Sequence, residues 1–157
     1  MIRTLNIGHH KATFTWAKIT TVIGVNSKAG EGQHILMWDF DEIPLEDVKT
    51  ALRVVQTRYW LSDIRIIRTK EPDNYQAWCF STFDLQTAAA ILASTEHIDW
   101  QFFRFGVFRQ HWTLRTSPKL GRTPKFCCQL EGYREPDISP VDLKSWVKYE
   151  TLDGGIK

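Results

Sequence analysis

The chain reads as an α+β protein built on a split βαβ core of the ferredoxin-like, RNA-recognition (RRM) type. Three observations predict it. From residue 34 onward the signals run strand, helix, strand, strand, helix, strand, the order of that fold. Residues 44–60 carry an apolar stripe at helical spacing between two β-rich runs. The first core strand alternates Leu36, Trp38 and Phe40 against Ile35, Met37, Asp39 and Asp41, so one face is fully apolar and the other ends in two acids.

The elements follow in order. Residues 13–25, TFTWAKITTVIGV, are rich in Thr, Val, Ile and Trp and predict a strand. NSKAGEG, 26–32, is a turn, and a strand over 34–41 would close an N-terminal hairpin with the first. Pro44 suits the first turn of a helix that buries Leu45, Val48, Leu52, Val55 and Tyr59 and turns Glu46, Lys49, Arg53 and Gln56 away. Strands at 63–70 and 75–81 flank the EPDN turn as a second hairpin. Asp84 caps an alanine-rich helix over 85–95. WQFFRFGVFRQ and HWTLRTSPK, 100–119, are aromatic and lean towards β. A strand at 125–133 and a short helix within 139–151, opened by Ser139, Pro140 and Asp142, form a C-terminal extension.

Size and composition bound the function. At 157 residues the chain is most economically one domain, 1–157, with its RRM-like core at 34–119. Net charge is only +2, so nucleic-acid binding would need a local basic surface rather than a basic protein. Seven Trp, nine Phe and four Tyr supply both core and possible base-stacking surfaces, so their placement decides their role. Three cysteines, Cys79, Cys127 and Cys128, make no disulfide framework and no zinc spacing. Neighbouring cysteines in a regular strand point to opposite faces, and all three read as reduced thiols. With no signal-peptide core and no apolar run of membrane-spanning length, the expectation is a soluble, cytoplasmic protein.

Alternation places Asp39 and Asp41 on the sheet face that the helices leave open. Carboxylates ~7 Å apart along a strand repel unless a cation lies between them, and Mg²⁺ binds through one or two carboxylates plus substrate phosphates. Exposed acids serving solubility are the plainer reading. On later strands Gln76, Trp78 and Phe80 share a face, as do Thr113, Arg115 and Ser117. Trp78 and Phe80 would form a stacking platform for bases, unless another element covers them. Arg115 with Ser117 and Lys119 offers a phosphate clamp, or a simple ion pair with an aspartate.

Taken together, WDFDE, then DNYQAWCF, then HWTLRTSPK resemble, in order and spacing, the three motifs of the archaeo-eukaryotic primase superfamily of plasmid and viral primase-polymerases. The resemblance covers residues 34–119. It implies metal-dependent nucleotidyl transfer on a single-stranded template, with single-stranded nucleic acid, DNA foremost, and nucleoside triphosphates as partners. Asp39 and Asp41 would be the catalytic acids and hold Mg²⁺ or Mn²⁺. Gln76, Arg115, Ser117 and Lys119 would meet the nucleotide phosphates, and Arg68 and Lys70 would reach them from before the EPDN turn. Two positions depart from the family pattern: Gln76 stands where it has histidine, and Arg115 where many members have a third acid. An amide donates a hydrogen bond but relays no proton. The alternatives are therefore a non-catalytic single-stranded DNA- or RNA-binding or replication-initiator domain, and a protein-interaction module of the same fold.

Other constellations carry less. The histidines of GHHK, 8–11, lack metal spacing. NSKAGEG is no P-loop, and no Ser/His/Asp set has a readable order. In WQFFRFGVFRQHW, basic residues alternate with aromatics as in single-strand grooves, with core packing the favoured reading for each phenylalanine.

Overall fold

The computed structural model describes residues 2–15, 18–118 and 121–153. It is a mixed α+β structure with antiparallel sheets. The strands are β1 (Ile2–Ile7), β2 (His10–Thr15), β3 (Lys18–Asn26), β4 (Lys28–Gly30), β5 (Gln33–Phe40), β6 (Ile64–Lys70), β7 (Asn74–Asp84), β8 (Thr113–Arg115), β9 (Lys125–Leu130) and β10 (Trp146–Asp153). The α-helices are α1 (Leu45–Tyr59), α2 (Leu85–Ala93) and α3 (Trp100–Arg109). Among the described residues no helix is long and apolar enough to cross a membrane.

The central sheet has the order β4-β5-β7-β6-β9. β7 lies between β5 and β6 and runs antiparallel to both, so β5-α1-β6 is a split βαβ unit, as the element order predicts. The helix face is the one expected. Trp38 is fully buried, and its Nε1 donates to Thr95 Oγ1, just beyond α2, at 2.9 Å. Val48, Leu52 and Val55 of α1 join Ala88, Ile91 and Leu92 of α2 in the same core cluster. Asp84 caps α2 by accepting from Thr87 N at 2.9 Å.

Gln56 departs from the expected pattern. It is fully buried on α1, and its Nε2 donates to the carbonyls of Ser62 and Leu130. A polar side chain at this buried position is tolerated because its amide is hydrogen-bonded, to the Ser62 and Leu130 carbonyls.

Four element expectations are corrected. β3 does not form a hairpin with β5; it pairs with β10 on one side and β8 on the other in a separate three-stranded sheet. The turn between β3 and β5 contains β4, and Ser27 O accepts from Ile35 N at 2.8 Å, so the edge of β5 is occupied locally. Residues 100–109 are helix α3, not strand: Asp99 accepts from Phe102 N as N-cap, and Gln110 ends the helix in the left-handed conformation. The β preference of aromatic residues depends on context, and the Asp99 cap with the packing of Phe102 and Phe103 against the core overrides it. The segment 139–151 holds one 3-10 turn and then β10, whose full-length pairing with β3 outweighs the helix-start signal. The fourth core strand survives only as β8, three residues long and joined to β3 rather than to β5.

The sheet face opposite the helices is closed. Met37 and Ile35 are fully buried, and Gln76, Trp78 and Phe80 are 7%, 6% and 7% exposed. Val25 of β3, Leu114 of β8 and Leu143 belong to the same buried cluster. The C-terminal loop also grips this region, with Asp137 N donating to Phe80 O and Asp137 Oδ2 accepting from Thr82 N.

Candidate active site

The site is assembled at the C-terminal end of β5. Because Trp38 and Phe40 face the helices, Asp39 falls on the opposite side, level with Gln76 across the β5–β7 ladder. The Gln76 side chain hydrogen-bonds Asp39, which requires its amide NH₂ to donate, and the amide oxygen Oε1 is buried without a partner. One step along, the Asn74 amide donates a short bond to Asp41 Oδ1. Each aspartate is thus held by the amide of a neighbouring β7 residue.

A third carboxylate arrives from an unexpected direction. Asp99 N donates to Asp39 O at 2.8 Å, so the start of α3 is latched onto the edge of β5. There it occupies the position that a fourth core strand would have taken. Asp39, Asp41 and Asp99 line a cavity of about 320 Å³. The same cavity is lined by Phe102, Phe105, Gly106 and Arg109 of α3, then by His111, Trp112 and Thr113 leading into β8. Gly106 is required here: a Cβ at this position would lie 2.0 Å from the Trp112 ring. The fully packed Trp112 (1% exposed) therefore clasps α3 and fixes where His111 and Thr113 sit. His111 Nδ1 donates to Arg109 O at 2.9 Å; a carbonyl only accepts, so Nδ1 carries the hydrogen and Nε2 is left for other partners.

The electrostatics follow from this crowding. Burial, then the charges of Asp41 and Asp99, push the Asp39 carboxyl from its ordinary 3.8 up to about 7. The Gln76 hydrogen bond and the Arg115 guanidinium act in the opposite direction without overcoming it. Like charges at short range favour either a retained proton or an added cation.

The expected site residues do not all come to one place. Asp39, Asp41, Gln76 and Arg115 come together: Arg115 is half-buried, its charge reaches Asp39, and its Nη1 donates to Ser117 O at 2.6 Å. Lys70 is exposed and level with Asn74, at the same sheet end as Asp41. Ser117 has a structural task, its Oγ accepting from Ile23 N at 2.9 Å. Arg68 is brought elsewhere. It is level with Tyr75, on the helix side of the sheet, stacked over that ring at 5.4 Å and paired with Glu71 at 3.2 Å. Lys119 lies outside the described residues. Trp78 and Phe80 are core residues here and present no open ring face, so the stacking platform expected on this sheet face is corrected: the second layer covers it.

Asp99, Arg109 and His111 did not emerge from the sequence as site residues. The signal for Asp99 was present, an aspartate immediately before WQFF in the N-cap position, but reading 100–110 as β-leaning concealed it. The same helix displays aromatics outward: Trp100 is 61% exposed, Phe105 55% and Phe108 86%, against the core role favoured from sequence.

Among the described residues no group of three His, Cys, Asp or Glu side chains forms a self-sufficient metal cage. Two carboxylates with room beside them are nonetheless the donor set that Mg²⁺ or Mn²⁺ uses when phosphate oxygens complete its shell. The crowded acids and the unpartnered Gln76 oxygen fit such an ion. Compared with protein-family models, curated proteins and solved structures, the chain matches none.

Proposed function

We propose that this protein is a primase-like nucleotidyl transferase that joins nucleotides on a single-stranded template, most naturally DNA in replication. The observation that carries the reading is one cavity lined by Asp39, Asp41 and Asp99 together with Arg109 and His111, with Arg115 acting on Asp39. The β5-β7-β6 order with α1 and α2 supports an RRM-like core in which α3 replaces the fourth strand at the site.

Asp39 and Asp41 would hold the divalent ion, which when bound neutralises phosphate charge and polarises the phosphoryl group. Gln76 and Asn74 orient the two carboxylates. Arg109 and Arg115 are the cations placed to hold a triphosphate, Arg115 being stiffened by its bond to Ser117 O. His111, with Nε2 available, supplies on another element the imidazole that the family pattern has at position 76. It can accept a proton or, when charged, donate to phosphate.

Primer synthesis on a single-stranded template with Mg²⁺ or Mn²⁺ tests this reading. The Asp39→Asn and Asp41→Asn variants are expected to lose product, and His111→Ala to lose most of it. Equal product from wild type and both aspartate variants removes the catalytic reading. Nucleotide binding should in addition depend on the divalent ion in the wild type and not in the variants.

A second reading, single-strand binding without catalysis, is favoured by α3. Trp100, Phe105 and Phe108 are exposed beside Arg104 and Arg109, with Arg109 lying 5.6 Å over the Phe105 ring. Aromatics interleaved with cations bind single strands with little sequence preference. On this reading Phe108→Ala weakens oligonucleotide binding by ~1–3 kcal/mol, while the aspartate variants leave it intact.

A further inference from the structure

Cys127 and Cys128 break the rule that neighbouring residues of a strand face opposite ways. The β6–β9 register shifts between them: Ile66 is level with Cys128 and Ile67 with Phe126, so Cys127 is the extra residue of a β-bulge. The consequence appears in the burial pattern. Lys125, Phe126 and Gln129 are exposed, whereas both cysteines are half-buried and both pack against the core. Burial first, and then the neighbouring Cys127, push the Cys128 thiol up, and the ammonium of Lys49 on α1 acts on both sulfurs. Lys49 is itself paired with Glu46 at 2.8 Å, and both charged groups of α1 act on the Cys128 thiol.

The pair is poorly built for a disulfide. Successive Cα atoms are ~3.8 Å apart, below the ~4.4–6.8 Å that an unstrained bridge spans. It is well built for a shared ion. Two metal–sulfur bonds of ~2.3 Å hold the sulfurs ~3.8–4.6 Å apart between tetrahedral and linear geometry, so an ion does not demand the ~2 Å approach that a disulfide does. No third His, Cys, Asp or Glu completes a metal group among the described residues, so the ion must accept few protein ligands. Soft thiolate sulfur selects soft ions, Cu(I) foremost among those content with low coordination.

We infer that Cys127 and Cys128 form a vicinal dithiolate site for a soft, low-coordinate cation of the Cu(I) class. Binding exchanges two thiol protons for one ion: two Cys–SH and Cu⁺ give a bis-thiolate copper unit of charge −1 and two H⁺, with no change of oxidation state. The Lys49 ammonium offsets that residual charge.

The test is a titration of the full chain with Cu(I) under anaerobic conditions against a chromophoric Cu(I) chelator, with phenylarsine oxide as a second dithiol probe. One equivalent of Cu(I) is expected, with release of two protons. Affinity should fall by ~100-fold or more in Cys127→Ser and equally in Cys128→Ser, since each removes the second, intramolecular ligand. Cys79→Ser, in the buried third cysteine, should leave it unchanged. Phenylarsine oxide should bind once and block copper. Far-ultraviolet circular dichroism identifies any serine variant that fails to fold, and for such a variant Cys→Ala at the same position replaces it. Copper retained by the Cys127→Ser, Cys128→Ser double variant, or two thiols reacting independently with the arsenical, overturns the inference.

Discussion

The raised pKa of Asp39 makes a quantitative prediction about stability. The unfolded carboxyl ionises near 3.8, the folded one near 7, and the cause is burial followed by the charges of Asp41 and Asp99. Below pH 3.8 both states hold the proton, and Asp39 neither adds nor subtracts stability. Between 3.8 and 7 only the unfolded state releases it, so stability falls as pH rises, by ~1.4 kcal/mol per pH unit. Above 7 the loss is complete, at ~3–4 kcal/mol for a carboxyl that keeps some contact with solvent. Asp39→Asn replaces it with a neutral side chain of the same shape, whose oxygen still accepts from Gln76. The variant should therefore match wild type at pH 4 and exceed it by ~3–4 kcal/mol at pH 8. Urea denaturation at fixed pH steps from 4 to 8 measures the difference directly. Mg²⁺ supplies the complementary arm: it should stabilise wild type at pH 8, where the carboxylate is charged, and leave the variant unmoved. Parallel pH–stability curves for the two proteins would show that the cluster does not crowd Asp39 as argued.

Three further outcomes test the packing that builds the site. Gly106→Ala drives a Cβ into the Trp112 ring and should cost ~1–3 kcal/mol or more in denaturant titrations, with loss of the α3–β8 clasp visible in tryptophan emission. Gly132→Ala meets the Ser62 and Asp63 backbone at 2.2–2.4 Å, which yields less readily than a side chain, so its melting temperature should drop at least as far. Trp38→Phe removes the bond to Thr95 and should cost ~1–2 kcal/mol. Trp78→Phe, by contrast, removes a buried N–H that has no partner, so its cost should be clearly smaller by the same equilibrium unfolding measurement.

Much of the frame was legible because it rests on local periodicity. The α1 stripe, the Asp84 cap, the β6–β7 hairpin and the alternation that separates Asp39 from Trp38 are all set by neighbours a few residues apart. What misled was competition between local signals and distant partners. Aromatics in 100–109 suggested strand until the Asp99 cap and its bond to Asp39 O organised them as a helix. Gln56 looked like a surface residue, because the carbonyls it satisfies belong to Ser62 and Leu130.

The sequence alone thus determined the split βαβ order, the apolar helix face and the location of the acidic pair, since each follows from spacing along one segment. Only the tertiary structure decided that a second layer buries Trp78 and Phe80, that a helix is bonded to the edge of β5, and that Asp99, Arg109 and His111 line one cavity with the aspartates. It likewise decided that a bulge turns Cys127 and Cys128 to one side. The physical reason is the same in each case: coverage, edge pairing and register are settled between segments tens of residues apart, where no local periodicity records the outcome.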